Sequence, residues 1–136
     1  MGNVSLKGLF RKIGKERGKS NEDRFFEVFK GYRVPSEFPP WFSGIQKSTR
    51  EQDYFRRIDA VALTNDVGKI YLQIKSSKGG VKKFEEHQKK HPRPEWIFPI
   101  IIRSTDTDVE IAKNTRRVLS QARQEILKHR NRSNYN

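Results

Sequence analysis

The stretch Arg57-Ile-Asp-Ala-Val-Ala-Leu-Thr-Asn-Asp-Val-Gly-Lys-Ile-Tyr-Leu-Gln-Ile-Lys75 decides how this chain folds. Two short apolar-rich runs flank an Asn-Asp-Val-Gly turn, the pattern of a β-hairpin. In the second run Ile70, Leu72 and Ile74 alternate with Tyr71, Gln73 and Lys75. A period of two sends the aliphatic side chains to one face and Gln73 with Lys75 to the other. An amide and an ammonium inside an apolar strand are costly unless something compensates them.

The turn sets the partner of Asp59. A type I turn over 65–68 with Gly68 left-handed pairs Asn65 with Lys69, which puts Asp59 across from Lys75 and Val61 across from Gln73. Asp59, Gln73 and Lys75 then converge on one polar patch. A register one residue different would place Asp59 on the apolar side. The plainer alternative is a surface hairpin with an Asp–Lys pair on its wet face. Tyr71, Val61 and Leu63 on that same face argue against simple solvation.

The chain has 136 residues, enough for one domain with a modest core. Twenty-nine Lys+Arg against 16 Asp+Glu give a formal charge of +13, and a polyanion, most simply nucleic acid, is the partner this excess suggests. No apolar run approaches the roughly 20 residues of a membrane span, so no membrane role is expected. Zero cysteines exclude disulfides and thiolate metal sites. No secretory signal stands out in the basic N-terminus, and an intracellular (cytoplasmic) protein is expected.

Residues 1–19 carry a net charge of +5 and four glycines, the composition of a basic arm that tracks phosphates. A single domain is expected over 20–130, followed by a disordered tail over 131–136. Ser20 with Asp23 opens a first helix in capping-box fashion, and Phe25, Phe26, Phe29 and Tyr32 form its apolar stripe up to Gly31. Glu22 lies on that stripe, as a second site acid or as a partner of the helix dipole. Residues 33–52 hold three prolines and no period, which suggests a long loop. Its Trp41–Phe42 pair suits base stacking or, more plainly, the plugging of a core edge. Asp53 is a further candidate for the patch, the alternative being a turn cap.

Ser76-Ser-Lys-Gly-Gly80 suggests a hinge before a helix over 81–91. His87 and His91 have an i, i+4 spacing that zinc can use, but a polar face suits them better in the absence of a third ligand. Glu95 to Arg103 is a nearly unbroken apolar run, a strand covered on both faces, with Pro99 at a bulge or an edge. Thr107 with Glu110 is a capping box for a last helix ending near His129, whose buried stripe is Ile111, Val118, Ala122 and Ile126. Lys78, Lys82, Lys83, Gln88, Arg116 and Arg117 are the candidate nucleic-acid contacts.

A carboxylate and an amide oxygen beside a lysine suit a hard divalent cation. Magnesium keeps several waters, so Asp59 and the Gln73 carbonyl suffice to anchor it, with Glu22 or the Ile74 backbone carbonyl completing the shell. Such a cation activates water against a phosphate, and Lys75 would orient the nucleophile or stabilise phosphate charge.

Asp59, thirteen intervening residues, then Gln73-Ile-Lys75 resembles the motif of the PD-(D/E)xK nuclease superfamily, in the variant where Gln replaces the acid. That variant is similar to Mrr-type restriction endonucleases. Gly18-Lys-Ser-Asn-Glu22 likewise resembles the helix acid that precedes the motif there and in archaeal Holliday-junction resolvases. The resemblance covers residues 20–129. It implies a restriction-endonuclease-like α/β (α+β) core, a mixed central sheet flanked by helices in αβββαβ-type order. It also implies Mg²⁺-dependent (or Mn²⁺-dependent) endonuclease cleavage of duplex or branched DNA, with Asp59 and Gln73 on the metal, Lys75 catalytic and Glu22 supporting. Cutting two strands favours a homodimer. The alternatives from the residues alone are a non-catalytic, basic nucleic-acid-binding module and an RNA-binding protein.

Overall fold

The computed structural model of the chain describes residues 20–30, 38–49, 57–92 and 95–134. The basic arm over 1–19, Gly31, Tyr32, Asp53 and the last two residues lie outside them. The order is α1 (helical over 20–30), β1 (Phe42–Lys47), β2 (Ala60–Thr64), β3 (Lys69–Lys75), α2 (Lys78–Lys90), β4 (Ile97–Ile101) and α3 (Asp108–Asn134). The strands form one mixed sheet in the order β1-β2-β3-β4. β1, β2 and β3 are antiparallel neighbours, and β4 runs parallel to β3 after the α2 crossover. The fold is therefore α+β, with three helices about a four-stranded mixed sheet among the described residues.

Both faces of the sheet are covered, which is why β2 reads Ala-Val-Ala with no polar alternation. On one face Ala60, Ala62, Ile70 and Leu72 pack with Ile100 and Ile102 against Phe25 and Val28 of α1 and Ile111, Leu119 and Ala122 of α3. Ala60 faces Leu72 across the ladder and Ala62 faces Ile70, so each small residue leaves room for a large one. On the other face Ile58, Val61 and Ile97, with Leu63 and Tyr71 at the margin, pack against Phe84 of α2.

The stretch expected as one long loop contains β1. Its register breaks between Phe42 and Gly44, where Gly44 has a φ of 158°. Trp41 and Phe42 pack against the main core, the plainer of the two expected roles. Phe42 lies with Phe38 at 4.5 Å between ring centroids.

The expected hinge is the opening of α2. Ser77 is the N-cap and its Oγ accepts the Gly80 N–H at 3.1 Å, so the glycine pair belongs to the first helical turn. Thr107 and Glu110 form the expected box, Thr107 N–H to Glu110 Oε1 at 3.1 Å and Glu110 N–H to Thr107 Oγ1 at 3.2 Å. These bonds hold the Glu110 carboxyl below its ordinary value. α3 runs on through Asn134, past the expected end near His129 and into the tail expected to be disordered. Lys128, Arg130 and Arg132 suit the negative end of the helix dipole. Among the described residues, no helix is long and apolar enough to cross a membrane.

Among the described residues β4 is an edge strand, and its outer side is blunted. Ile102 N–H donates to the Lys75 carbonyl at 2.8 Å, so the even-numbered residues face β3 and residues 97, 99 and 101 face outward. Gln88 Nε2 donates to the Ile97 carbonyl at 3.0 Å, Asn114 Nδ2 donates to the Ile101 carbonyl at 2.7 Å, and Pro99 has no N–H. Little is left there for another strand to pair with.

Candidate functional site

The site forms where the β2–β3 ladder ends. The pairs are Ala60–Leu72, Val61–Tyr71, Ala62–Ile70 and Leu63–Lys69. Beyond them the Asp59 N–H also reaches the Leu72 carbonyl, so Asp59 and Ala60 both stand opposite Leu72 as in a β-bulge. The register is thus two residues away from the expected one. The turn explains the difference. Asn65 is drawn out of the ladder, its N–H to the Trp41 carbonyl at 2.8 Å and its Nδ2 to the Pro40 carbonyl at 3.0 Å. Val67 is buried, and Thr64 closes the loop by donating its N–H and its Oγ1 to the Gly68 carbonyl. Gly68 is left-handed at φ 79°, as expected. A shift of two keeps the residues from Ala60 onward on their own faces. The strand is bulged at Asp59, however, which turns Ile58 to the face of Val61 and Phe84, and Asp59 meets this end of β3 through the bond of its carboxylate to Ile74.

Asp59 is only 6% exposed. Its N–H donates to the Leu72 carbonyl at 2.8 Å, its carbonyl accepts from Ser48 at 3.2 Å, and its Oδ2 accepts the Ile74 N–H at 2.7 Å. The carboxylate therefore takes the place that the Ile58 backbone would hold in a regular ladder. Arg57, two residues upstream, has a left-handed φ of 56°, a strained conformation for a side chain of that size. It turns the chain into this break.

Gln73 pairs with Pro99 of β4 and precedes Ile74, whose N–H binds the Asp59 carboxylate. Its Oε1 is buried with no hydrogen-bond partner. An acceptor left so costs about 1–3 kcal/mol. Lys75 is half-buried, its Nζ 5.6 Å from the centroid of the Phe84 ring and its stem against Gly80. Burial pushes its ammonium below the ordinary lysine value, Asp59 pulls it back up and Arg57 pushes it down again. Because α2 covers this face through Phe84, the solvated-hairpin alternative does not hold.

The other expected residues divide. Glu22 is half-buried on α1. Its neighbour Asn21 donates to the Ile102 carbonyl at 3.2 Å, which sets this part of α1 at the end of the sheet where Lys75 lies. Ile74 meets Asp59 through its N–H. Asp53 lies outside the described residues. Lys78, Lys82 and Lys83 are exposed on α2, and Arg116 and Arg117 on α3. Gln88 is committed to β4, so its amide serves the fold in place of a phosphate. Two further arginines of the basic α3 face are structural. Arg123 pairs with Asp66 and covers Trp41 at 5.3 Å, while Arg130 donates to the Asp66 and Val67 carbonyls.

Among the described residues no three or more His, Cys, Asp or Glu side chains converge as a metal-binding group. A cation at this place would rest on one carboxylate and one neutral oxygen. The Arg57 turn and the Phe84 ring beneath Lys75 are site features that the sequence pattern did not single out. The only signal for the second was Gly80 and Phe84 at i, i+4 behind a serine cap. Comparisons with family models, curated proteins and solved structures give no match to this chain.

Proposed function

We propose that this protein is a divalent-metal-dependent endonuclease acting on DNA, with Asp59 and Gln73 holding Mg²⁺ or Mn²⁺ and Lys75 at the phosphate. The observation that carries the reading is the Gln73 Oε1, buried and without a donor, on the residue next to Ile74, whose N–H binds the buried Asp59 carboxylate. A hard cation supplies the partner that such an oxygen lacks. The element order is the one the nuclease resemblance implies, which supports the same reading.

When bound, the metal would lower the pKa of a coordinated water and offset charge on the scissile phosphate. Ile74 N–H holds the Asp59 carboxylate in one orientation, so no reorganisation is needed when the cation arrives. Gln73 adds an oxygen without adding charge. Lys75, drawn back by Gly80 and Phe84, donates a hydrogen bond from its ammonium to a non-bridging phosphate oxygen and offsets the negative charge there. Glu22 supports the site from α1. Exposed Lys78, Lys82, Lys83, Arg116 and Arg117 take the flanking phosphates, with a homodimer serving the second strand and an intracellular setting supplying the DNA.

Incubation with plasmid and branched DNA in Mg²⁺ or Mn²⁺ tests this reading. Cleavage is expected from the wild type and is lost in Lys75→Ala; equal and intact substrate in both overturns it. The single carboxylate favours one other reading, a non-catalytic nucleic-acid-binding module on the same fold. That reading expects steeply salt-dependent DNA binding, unchanged in Lys75→Ala, and no cleavage.

A further inference from the structure

The sequence offers two tryptophans, and the one expected inside a covered strand is the one left open. Trp41, the candidate for base stacking, lies under the Arg123 guanidinium against the core. Trp96, expected inside a covered strand, is 44% exposed. Its ring is stacked on Phe98 at 4.9 Å and 29°, and His129 meets it edge-on at 6.2 Å. Phe98 itself packs against the main core. The indole is therefore backed and fixed while nearly half its surface stays open.

A rigid, half-open indole on a chain of +13 is a platform with few candidate occupants. A peptide strand is disfavoured, because Gln88, Asn114 and Pro99 blunt the adjoining edge of β4. The surroundings favour an anion. Lys89 lines the same groove as Trp96, and His129 leads one turn along α3 to exposed Arg132. Among the described residues lining that groove, Glu85 is the one acid. Stacking on an aromatic beside cations is how unpaired bases are held, since every base has a π-face and every linkage a charge.

We propose that Trp96 is a stacking platform for an unpaired base, so that this protein takes nucleic acid with a single-stranded or branched segment. The inference rests on the nucleic-acid part of the reading above and is independent of its metal chemistry. The platform accepts the base against the indole while Lys89 and Arg132 meet the neighbouring phosphates.

The test uses the full chain in EDTA. In Trp41→Phe the only emission left is that of Trp96. Titration with an oligothymidylate of about 15 nucleotides is expected to quench it strongly, and a blunt duplex of equal length to quench it little. With Trp41 intact, Trp96→Ala is expected to weaken binding of a labelled oligothymidylate about tenfold or more, and Trp96→Phe by less than about threefold. Saturable strand binding that leaves the emission unchanged overturns the inference. So does an undiminished affinity in Trp96→Ala. Loss of self-association in that variant with DNA affinity intact would make the platform a protein contact, which also refutes it. Because no divalent metal is present, stacking without cleavage supports this inference even where the nuclease reading fails.

Discussion

Replacing Gln73 by Met is expected to make the metal-free protein more stable and the metal-loaded protein less so. Met keeps the unbranched length of Gln and removes the amide oxygen that is buried without a donor. The unsatisfied acceptor costs about 1–3 kcal/mol, and the swap in shape returns a part of that, so the net gain is about 1 kcal/mol. For a chain of 136 residues this raises Tm by about 3–5 °C in EDTA. Cation binding acts in the opposite direction. At a free Mg²⁺ concentration of about 100 times Kd, the wild type gains about 2.7 kcal/mol, which the variant largely forfeits. The order of stability should therefore invert between EDTA and saturating Mg²⁺. Urea denaturation of both proteins in the two buffers reads this directly. A variant less stable than wild type in EDTA would mean that the amide oxygen has a protein partner. An equal response of both to Mg²⁺ would remove Gln73 from the cation.

Three further outcomes are expected. Asp59→Asn keeps an acceptor for the Ile74 N–H and should fold, while Asp59→Ala orphans that group and should lose about 1–3 kcal/mol by denaturation; both should abolish cleavage. Asp66 titrates below its ordinary value because Arg123 hydrogen-bonds it. Its contribution is present above the unfolded carboxylate value near pH 4 and disappears as pH falls through the lower folded value. The pair is partly exposed, so Asp66→Asn should remove less than about 1 kcal/mol at pH 7 and flatten the Tm–pH curve at its acid end. Neutralising Lys78, Lys82 or Lys83 should each reduce the slope of log K against log salt by about 0.9 in DNA-binding titrations.

The hairpin was legible because its information has a period of two. The turn misled the register by two residues, since nothing in Asn-Asp-Val-Gly announces that Asn65 is claimed by Pro40 and Trp41 or that Val67 turns inward. Faces do not respond to such an error from Ala60 onward, whereas Asp59 reaches the Gln73–Lys75 end of β3 through a bulge that the pattern did not announce. β1 was hidden for the opposite reason. Phe-Ser-Gly-Ile-Gln-Lys on an edge, broken at Gly44, lacks the alternation that a half-buried strand displays. The glycines after Ser77 looked like a hinge because propensity is weak beside a serine cap and a tertiary contact with Lys75. Aromatic exposure was the least legible feature. Whether Trp41 or Trp96 faces solvent depends on Arg123, 82 residues from Trp41 and adjacent in space to it, and on the start of β4 at Ile97.

The central claim is that Asp59 and Gln73 share a divalent cation beside Lys75. A crystal of the full chain soaked in Mn²⁺ and measured at the manganese edge tests it most directly. An anomalous peak at about 2.0–2.4 Å from an Asp59 carboxylate oxygen and the Gln73 Oε1 is the expected result. A peak elsewhere with those two oxygens bare, or the Gln73 amide turned away onto a protein donor, would contradict it.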